Sequence, residues 1–431
     1  MIFLVVLTGI IGLLLAVKYP IITLFVMMTT ALFKGYLITR VGLFQKVDLT
    51  VLATLYVIFG MTVSLIKHPG DFRKIQNGPF LMMILLAGAL FFGLIYTSSP
   101  NYGWMKSSRY FVFGSIMFLA PLLFIRTVSD VKFLIWFFVI SGVLIGIATI
   151  FNIQEDRAAF LESGTLGTAS KIAMAALVSF CFIINKNSRQ STKIINGFIL
   201  FLCFIGIVLT GSRGPLFGLI ICCMIAPLLF GRRVSLYWLI PGLVVGIVGF
   251  GYSMTKAEQV AKASMRRISS IWQEGGGGIE GAFSSRMSYY GYAISNIPHA
   301  PVLGHGTGSF AMDYEGEDIP TYPHNVFLEL GYENGMVGVL IFTIFLFMLY
   351  KRWKEMRIYV NYLDSKDLYY LPVIAVLIFL YTFMQVLKSG DLERNRFFFF
   401  CCGFIVSVYN LIVEHAQPIS SELHDIEYIN E

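Results

Sequence analysis

His324 stands in Pro323-His324-Asn325, with nine residues separating Asn325 from Gly335-Met336-Val337-Gly338. Near neutral pH an imidazole is the side chain best matched to taking a proton from a hydroxyl. Pro323 at the entrance favours a helix starting near His324. At about 100° per residue, His324, Leu328, Gly331, Gly335 and Gly338 fall within roughly 40° of one line. Glu329 and Glu333 fall on the opposite side. A glycine stripe of this kind lets a neighbouring helix approach closely, which sets His324 at the mouth of a helical bundle.

Two arginines offer a second kind of chemistry. Arg213 lies in Thr210-Gly211-Ser212-Arg213-Gly214, and Arg286 in Ser284-Ser285-Arg286-Met287-Ser288-Tyr289. A guanidinium fork suits phosphate oxygens, and flanking glycine lets the backbone approach a ligand. The plainer readings are an Arg213 that reaches to lipid headgroups and an Arg286 in a surface ion pair. Tyr289, Tyr290 and Tyr292 follow Arg286; such rings hold sugars, and they suit a membrane interface equally well. Ser212, Asn325, Tyr289, Tyr290, His305 and Arg157 complete the candidate substrate-binding set.

Metal chemistry has weaker support. His299, His305 and His324 match no metal-ligand spacing. Asp313, Glu315, Glu317 and Asp318 suit a hard cation or form a solvated acidic turn. Gly304-His305-Gly306-Thr307-Gly308 looks like a phosphate loop, but no strand precedes it, so a nucleotide site is not expected.

The elements that position these residues follow from composition. Of 431 residues, 57% are hydrophobic and 13% charged, against about 25% charged in soluble domains. The apolar stretches have the length of about 17 to 25 residues that a bilayer-crossing helix needs. Lipid offers backbone amides no partners, so these stretches must be helical. The expected fold is all-α: a polytopic bundle of about 12 to 13 transmembrane helices. It divides into an N-terminal bundle (1–253), one large external loop with short helices (254–323), C-terminal helices (324–413) and a tail (414–431). The first span is placed near residues 2–17, the tenth near 234–253, and one at 325–350. Span interiors read as nearly free of acids and bases.

Lys67, Arg73, Lys74, Arg126, Lys132, Lys186, Arg189, Arg232 and Arg233 fall in alternate loops and mark a cytoplasmic side. Lys34, Arg40 and Lys46 land on the other side, against that rule. The net charge of +7 therefore reports topology and no nucleic-acid partner is implied. Six cysteines lie within apolar segments without a CxxC pair, which argues against a disulfide framework or a cysteine-bound metal.

The His324-Asn325 unit with Gly335 and Gly338 resembles the signature of the O-antigen ligase and Wzy polymerase superfamily. Ser212-Arg213-Gly214 resembles that family's arginine turn at the outer end of a span. Arg286 with Pro298 to Phe310 resembles the approach to its histidine. Gly164-Thr165-Leu166-Gly167 also fits, although Ser170 and Lys171 stand where the family often has asparagine. Ser389-Gly390-Asp391 with Asn395-Arg396 resembles a late external loop. The resemblance implies a GT-C-like membrane glycosyltransferase with no metal and no other cofactor. Its donor would be a glycan on undecaprenyl diphosphate, its acceptor a glycan or lipid, at the outer face of a bacterial inner membrane. Arg213 and Arg286 would hold the diphosphate, and His324 would act as base.

Two other readings stay open. A transporter of lipid-linked sugars would show repeated halves and polar residues at mid-membrane. A non-catalytic membrane subunit would tolerate loss of Arg213, Arg286 and His324.

Overall fold

A computed structural model describes residues 11–40, 44, 47–151, 153–154, 157–158, 160, 164–231, 280–363, 368–389 and 391–429. The fold is all-helical and polytopic. The helices are α1 (Ile21–Arg40), α2 (Leu49–Lys67), α3 (Gly78–Gly93), α4 (Pro100–Phe124), α5 (Val128–Phe151), α6 (Thr165–Ile184) and α7 (Gln190–Thr210). They continue with α8 (Arg213–Leu229), α9 (Glu280–Asn296), α10 (Ser309–Glu315), α11 (Val326–Glu333), α12 (Gly335–Tyr362), α13 (Leu371–Ser389) and α14 (Arg396–Ile429). A two-residue antiparallel ladder, Ile153–Gln154 with Arg157–Ala158, precedes α6.

Among the described residues nine helices are long and apolar enough to cross a membrane, and α3 with the bent helical turns before it makes a tenth. The expected spans near 2–17 and 234–253 lie wholly or largely outside the described residues, as do 254–279 of the expected external loop.

Small residues set the closest approaches. A Cβ on Gly403 of α14 would sit 2.0 Å from the Phe118 carbonyl oxygen of α4, and one on Gly142 of α5 would sit 2.3 Å from the Ala175 Cβ of α6. The first turns of α14 are sealed inside the bundle: Phe398, Phe399, Phe400, Cys401 and Cys402 are at most 1% exposed. The six cysteines are free and buried. Large apolar side chains instead face outward, among them Leu81, Phe133, Ile140, Leu144, Phe198, Phe217 and Phe347. A belt of that extent suits lipid and not water.

Polar residues gather at the two ends. At one end Arg126 pairs with Asp71 at 2.8 Å, and Lys74 pairs with Asp71 at 3.1 Å. The other end holds the candidate site. Lys34 lies at this second end, where Asp48 neutralises it at 2.8 Å, so the exception to the charge rule is in part an ion pair. Lys46 lies outside the described residues.

The segment 297–325 docks onto the bundle through its glycines. Gly304, Gly306 and Gly308 adopt φ of +74°, +100° and +80°, the region glycine alone enters at little cost. A Cβ on Gly306 would meet the Thr97 Cα at 2.6 Å, and one on Gly304 the Glu333 carbonyl carbon at 2.4 Å. Between Gly306 and Gly308, Thr307 donates its hydroxyl to the Leu90 carbonyl at 2.7 Å and accepts through its carbonyl from Thr97 at 2.8 Å. The stretch that looks like a phosphate loop is a wedge joining α3, α4 and α11.

The acidic turn is solvent-exposed at Asp313, Glu315 and Glu317, and two of its carboxylates also tie it to the bundle. Asp318 accepts from the backbone amides of Asn101 and Tyr102, each at 2.9 Å, and caps the start of α4. Asp313 accepts from Ser98 at 2.8 Å and Tyr332 at 2.9 Å.

One expectation fails outright. No continuous helix runs from His324 through Gly338. The chain breaks at Asn334, and Gly335 has φ +60° because a Cβ there would lie 2.4 Å from the Val302 carbonyl oxygen. α11 and α12 are separate, so the glycines form no single stripe: Gly335 serves the break and Gly338 faces Asn334.

Candidate functional site

His324 precedes α11 and is the only described non-glycine residue with positive φ, +55°. A left-handed histidine is strained by roughly 1–2 kcal/mol, and such strain persists where surrounding structure enforces it. Asn325 does part of that enforcing: its Oδ1 accepts from the amides of Phe327 (3.0 Å) and Leu328 (3.3 Å) and caps α11. The cap leaves the Asn325 amide nitrogen as its donor toward any ligand. The His324 ring is held edge-on by Tyr322 at 4.6 Å and flanked by Tyr289 of α9 at 5.9 Å. Its Nδ1 is buried and meets no hydrogen-bond partner among the described residues. Burial lowers the imidazole pKa below its ordinary value, the Arg286 and Arg394 charges lower it further, and Asp391 opposes them. The ring is therefore neutral at pH 7.

Arg286 projects from α9, exposed, with its charge acting on both His324 and Lys388. Arg213 opens α8 one residue after Ser212, whose backbone amide turns back to the Thr210 hydroxyl at 3.2 Å. Gly211, with φ +64°, makes the tight corner between α7 and α8. The Arg213 side chain lies outside the described residues, but its neighbour Gly214 accepts a hydrogen bond through its carbonyl from Lys388 of α13. Arg286 and His324 are thus brought together, and the α8 start is tied to them through Lys388.

The remaining candidates divide. Tyr289 donates to Glu315 at 3.1 Å while flanking the imidazole. Tyr290 is partly exposed on the same helix. His305 stacks on Tyr332 at 4.5 Å, with its Nε2 against the Asn296 carbonyl at 3.0 Å; those contacts fix the glycine wedge. Arg157 is placed by backbone alone in the short ladder, its side chain outside the described residues.

Beneath this layer lies a network that the sequence did not announce. Lys106 of α4 is 1% exposed and binds Glu329 at 2.5 Å, Glu333 at 2.6 Å and Asp391 at 3.9 Å. Tyr102 donates its hydroxyl to Asp391, and Glu329 accepts from the Leu392 amide at 3.2 Å. Glu393, also buried, takes Arg109 at 3.2 Å and Arg394 at 3.3 Å. Arg394 then lies over the Tyr322 ring at 5.8 Å. A chain of contacts therefore runs from Lys106 through the Asp391–Arg394 turn to Tyr322 and His324. The expectation of span interiors nearly free of charge is corrected here, and so is the outward placement of Glu329 and Glu333. The signal was present: two glutamates at i and i+4 share one helix face, and burying that face demands a cation.

Residues 198–343 match the family model described as O-antigen ligase. That segment is similar to the O-antigen ligase family. No curated protein matches the chain. The O-antigen ligase segment contains Ser212, Arg213, Arg286, His305, His324, Asn325, Glu329 and Glu333. It omits Lys106, Lys388, Asp391 and Arg394, which reach the same end of the molecule from α4, α13 and the turn before α14. An O-antigen ligase-type membrane function of the ligase or polymerase kind is supported for the protein by that match.

Proposed function

We propose that this protein transfers a glycan from a polyprenyl diphosphate donor, of the undecaprenyl kind, to an acceptor hydroxyl at the outer leaflet of the bacterial inner membrane. The observation that carries this reading is the strained, neutral His324 beside the Arg286 cation, inside an O-antigen ligase segment at one end of an apolar bundle. The acceptor hydroxyl attacks the anomeric carbon of the donor sugar. Its proton passes to an imidazole nitrogen of His324. The bond from the anomeric carbon to the phosphate oxygen breaks, and its electron pair leaves on the diphosphate. Arg286, with Arg213 at the α8 start, neutralises that developing charge. The polyprenyl tail stays in lipid, against the apolar outer faces of the helices.

The acceptor decides between two versions of this chemistry. A second lipid-linked repeat makes the protein a polymerase; a lipid core or other final acceptor makes it a ligase. Purified protein in liposomes, given labelled lipid-linked glycan and each acceptor in turn, should lengthen or transfer the glycan. Movement of the unaltered lipid across the bilayer would identify a transporter and end the enzyme reading.

The depressed imidazole pKa gives a pH prediction. Protonation removes the base, so the rate falls on acidification through the His324 pKa. The acid limb should have its midpoint below the ordinary histidine value of about 6.5. A midpoint at or above that value would contradict a neutral base held between tyrosines and an arginine.

A further inference from the structure

Lys388 has a place in this end of the molecule that neither the family segment nor the histidine chemistry requires. It lies in the last turn of α13, with its ammonium donating to the Gly214 carbonyl in the first turn of α8. The contact is close enough to restrict residue 214. A Cβ there would lie 2.9 Å from Nζ and 3.1 Å from Cε of the lysine.

Several of the other cations at this end have carboxylates, while Arg396 and Lys171 lie over the Phe113 and Phe397 rings at 4.0 and 4.2 Å. Lys106 has Glu329 and Glu333, Lys34 has Asp48, and Arg109 and Arg394 share Glu393. Lys388 is half-buried, and the one charge among the described residues that acts on it is the like charge of Arg286. Holding a half-buried ammonium near a second cation without a counter-charge is unfavourable, and an anion of more than one charge relieves it. The Gly214 carbonyl uses one of the three ammonium donors. Two remain for phosphate oxygens.

We infer that Lys388 is a third cationic ligand of the donor diphosphate, standing with Arg286 across the first turn of α8. This rests on the diphosphate reading above and adds a residue to it. The arginines grip oxygens by planar forks, while Lys388 supplies a compact charge to a second phosphoryl group. The site then favours a diphosphate over a monophosphate, and so a loaded donor over a spent monophosphate carrier.

The test uses purified full-length protein in detergent with polyprenyl diphosphate and polyprenyl monophosphate as probes. Lys388→Met should weaken diphosphate binding by about 10- to 100-fold, the usual value of a hydrogen bond to a charged group. Monophosphate binding should change far less, and Lys388→Arg should recover much of the loss. In transfer assays the donor KM should rise more than kcat falls. Gly214→Ala is the second variant. Alanine favours the helix, yet displaces the ammonium, so diphosphate affinity should fall without loss of stability. Wild-type diphosphate affinity in Lys388→Met, or in Gly214→Ala should Lys388→Met fail to fold, would overturn the role of Lys388 and leave the transferase reading intact. Wild-type protein that does not discriminate the two probes would remove the diphosphate reading itself, and this inference with it.

Discussion

His324→Ala should lower glycan transfer by roughly 10²- to 10⁴-fold, the range for loss of a positioned general base. The protein should still fold. The imidazole makes ring contacts with Tyr322 and Tyr289 but no hydrogen bond from its buried Nδ1, so truncation breaks no network. His324→Asn is the sharper variant. Asparagine tolerates the left-handed backbone, so geometry is kept while the base is lost. Rates from both variants, measured beside their melting temperatures, separate chemistry from folding. Transfer at the wild-type rate by either one would remove His324 from the reaction.

The second large effect belongs to Lys106. Lys106→Ala leaves Glu329, Glu333 and Asp391 buried without their cation. Removing one partner of a buried ion pair costs about 3–5 kcal/mol. The variant should melt well below the wild type in detergent and lose transfer as the Asp391–Arg394 turn loosens. Neutralising the other side should restore stability. A triple variant, Lys106→Met with Glu329→Gln and Glu333→Gln, removes the mismatch and should recover most of the loss. If Lys106→Ala melts with the wild type, the cluster does not hold α4, α11 and the α13–α14 turn together.

Much of the fold was legible because lipid leaves few options. Apolar runs of bilayer length must be helices, and the described spans follow them closely. His324 and Arg286 were legible as well, since each is a polar residue where an apolar helix begins or a loop returns. The misreadings share one cause. Sequence periodicity assumes that a helix continues, and glycine permits both close packing and a break. Gly335 and Gly338 read as a packing stripe, whereas the Val302 carbonyl forces Gly335 into a left-handed turn. Lys106 was missed for a related reason. Pro100–Arg109 has the polarity of a loop, yet Asp318 caps it into the first turns of α4. Its partners lie 223 residues or more away in the chain, from Lys106 to Glu329, and no local pattern reveals a pairing of that range.

The positive φ of His324 bears on how this protein can change. Alanine, leucine or lysine at position 324 would inherit the same backbone penalty without the imidazole. Glycine or asparagine would release it. A laboratory population propagated for heat resistance alone would drift toward those two residues and become inert as it hardened. Under the proposed mechanism durability and turnover pull in opposite directions at this one position, so heat resistance cannot serve as a proxy for competence in variants of this protein.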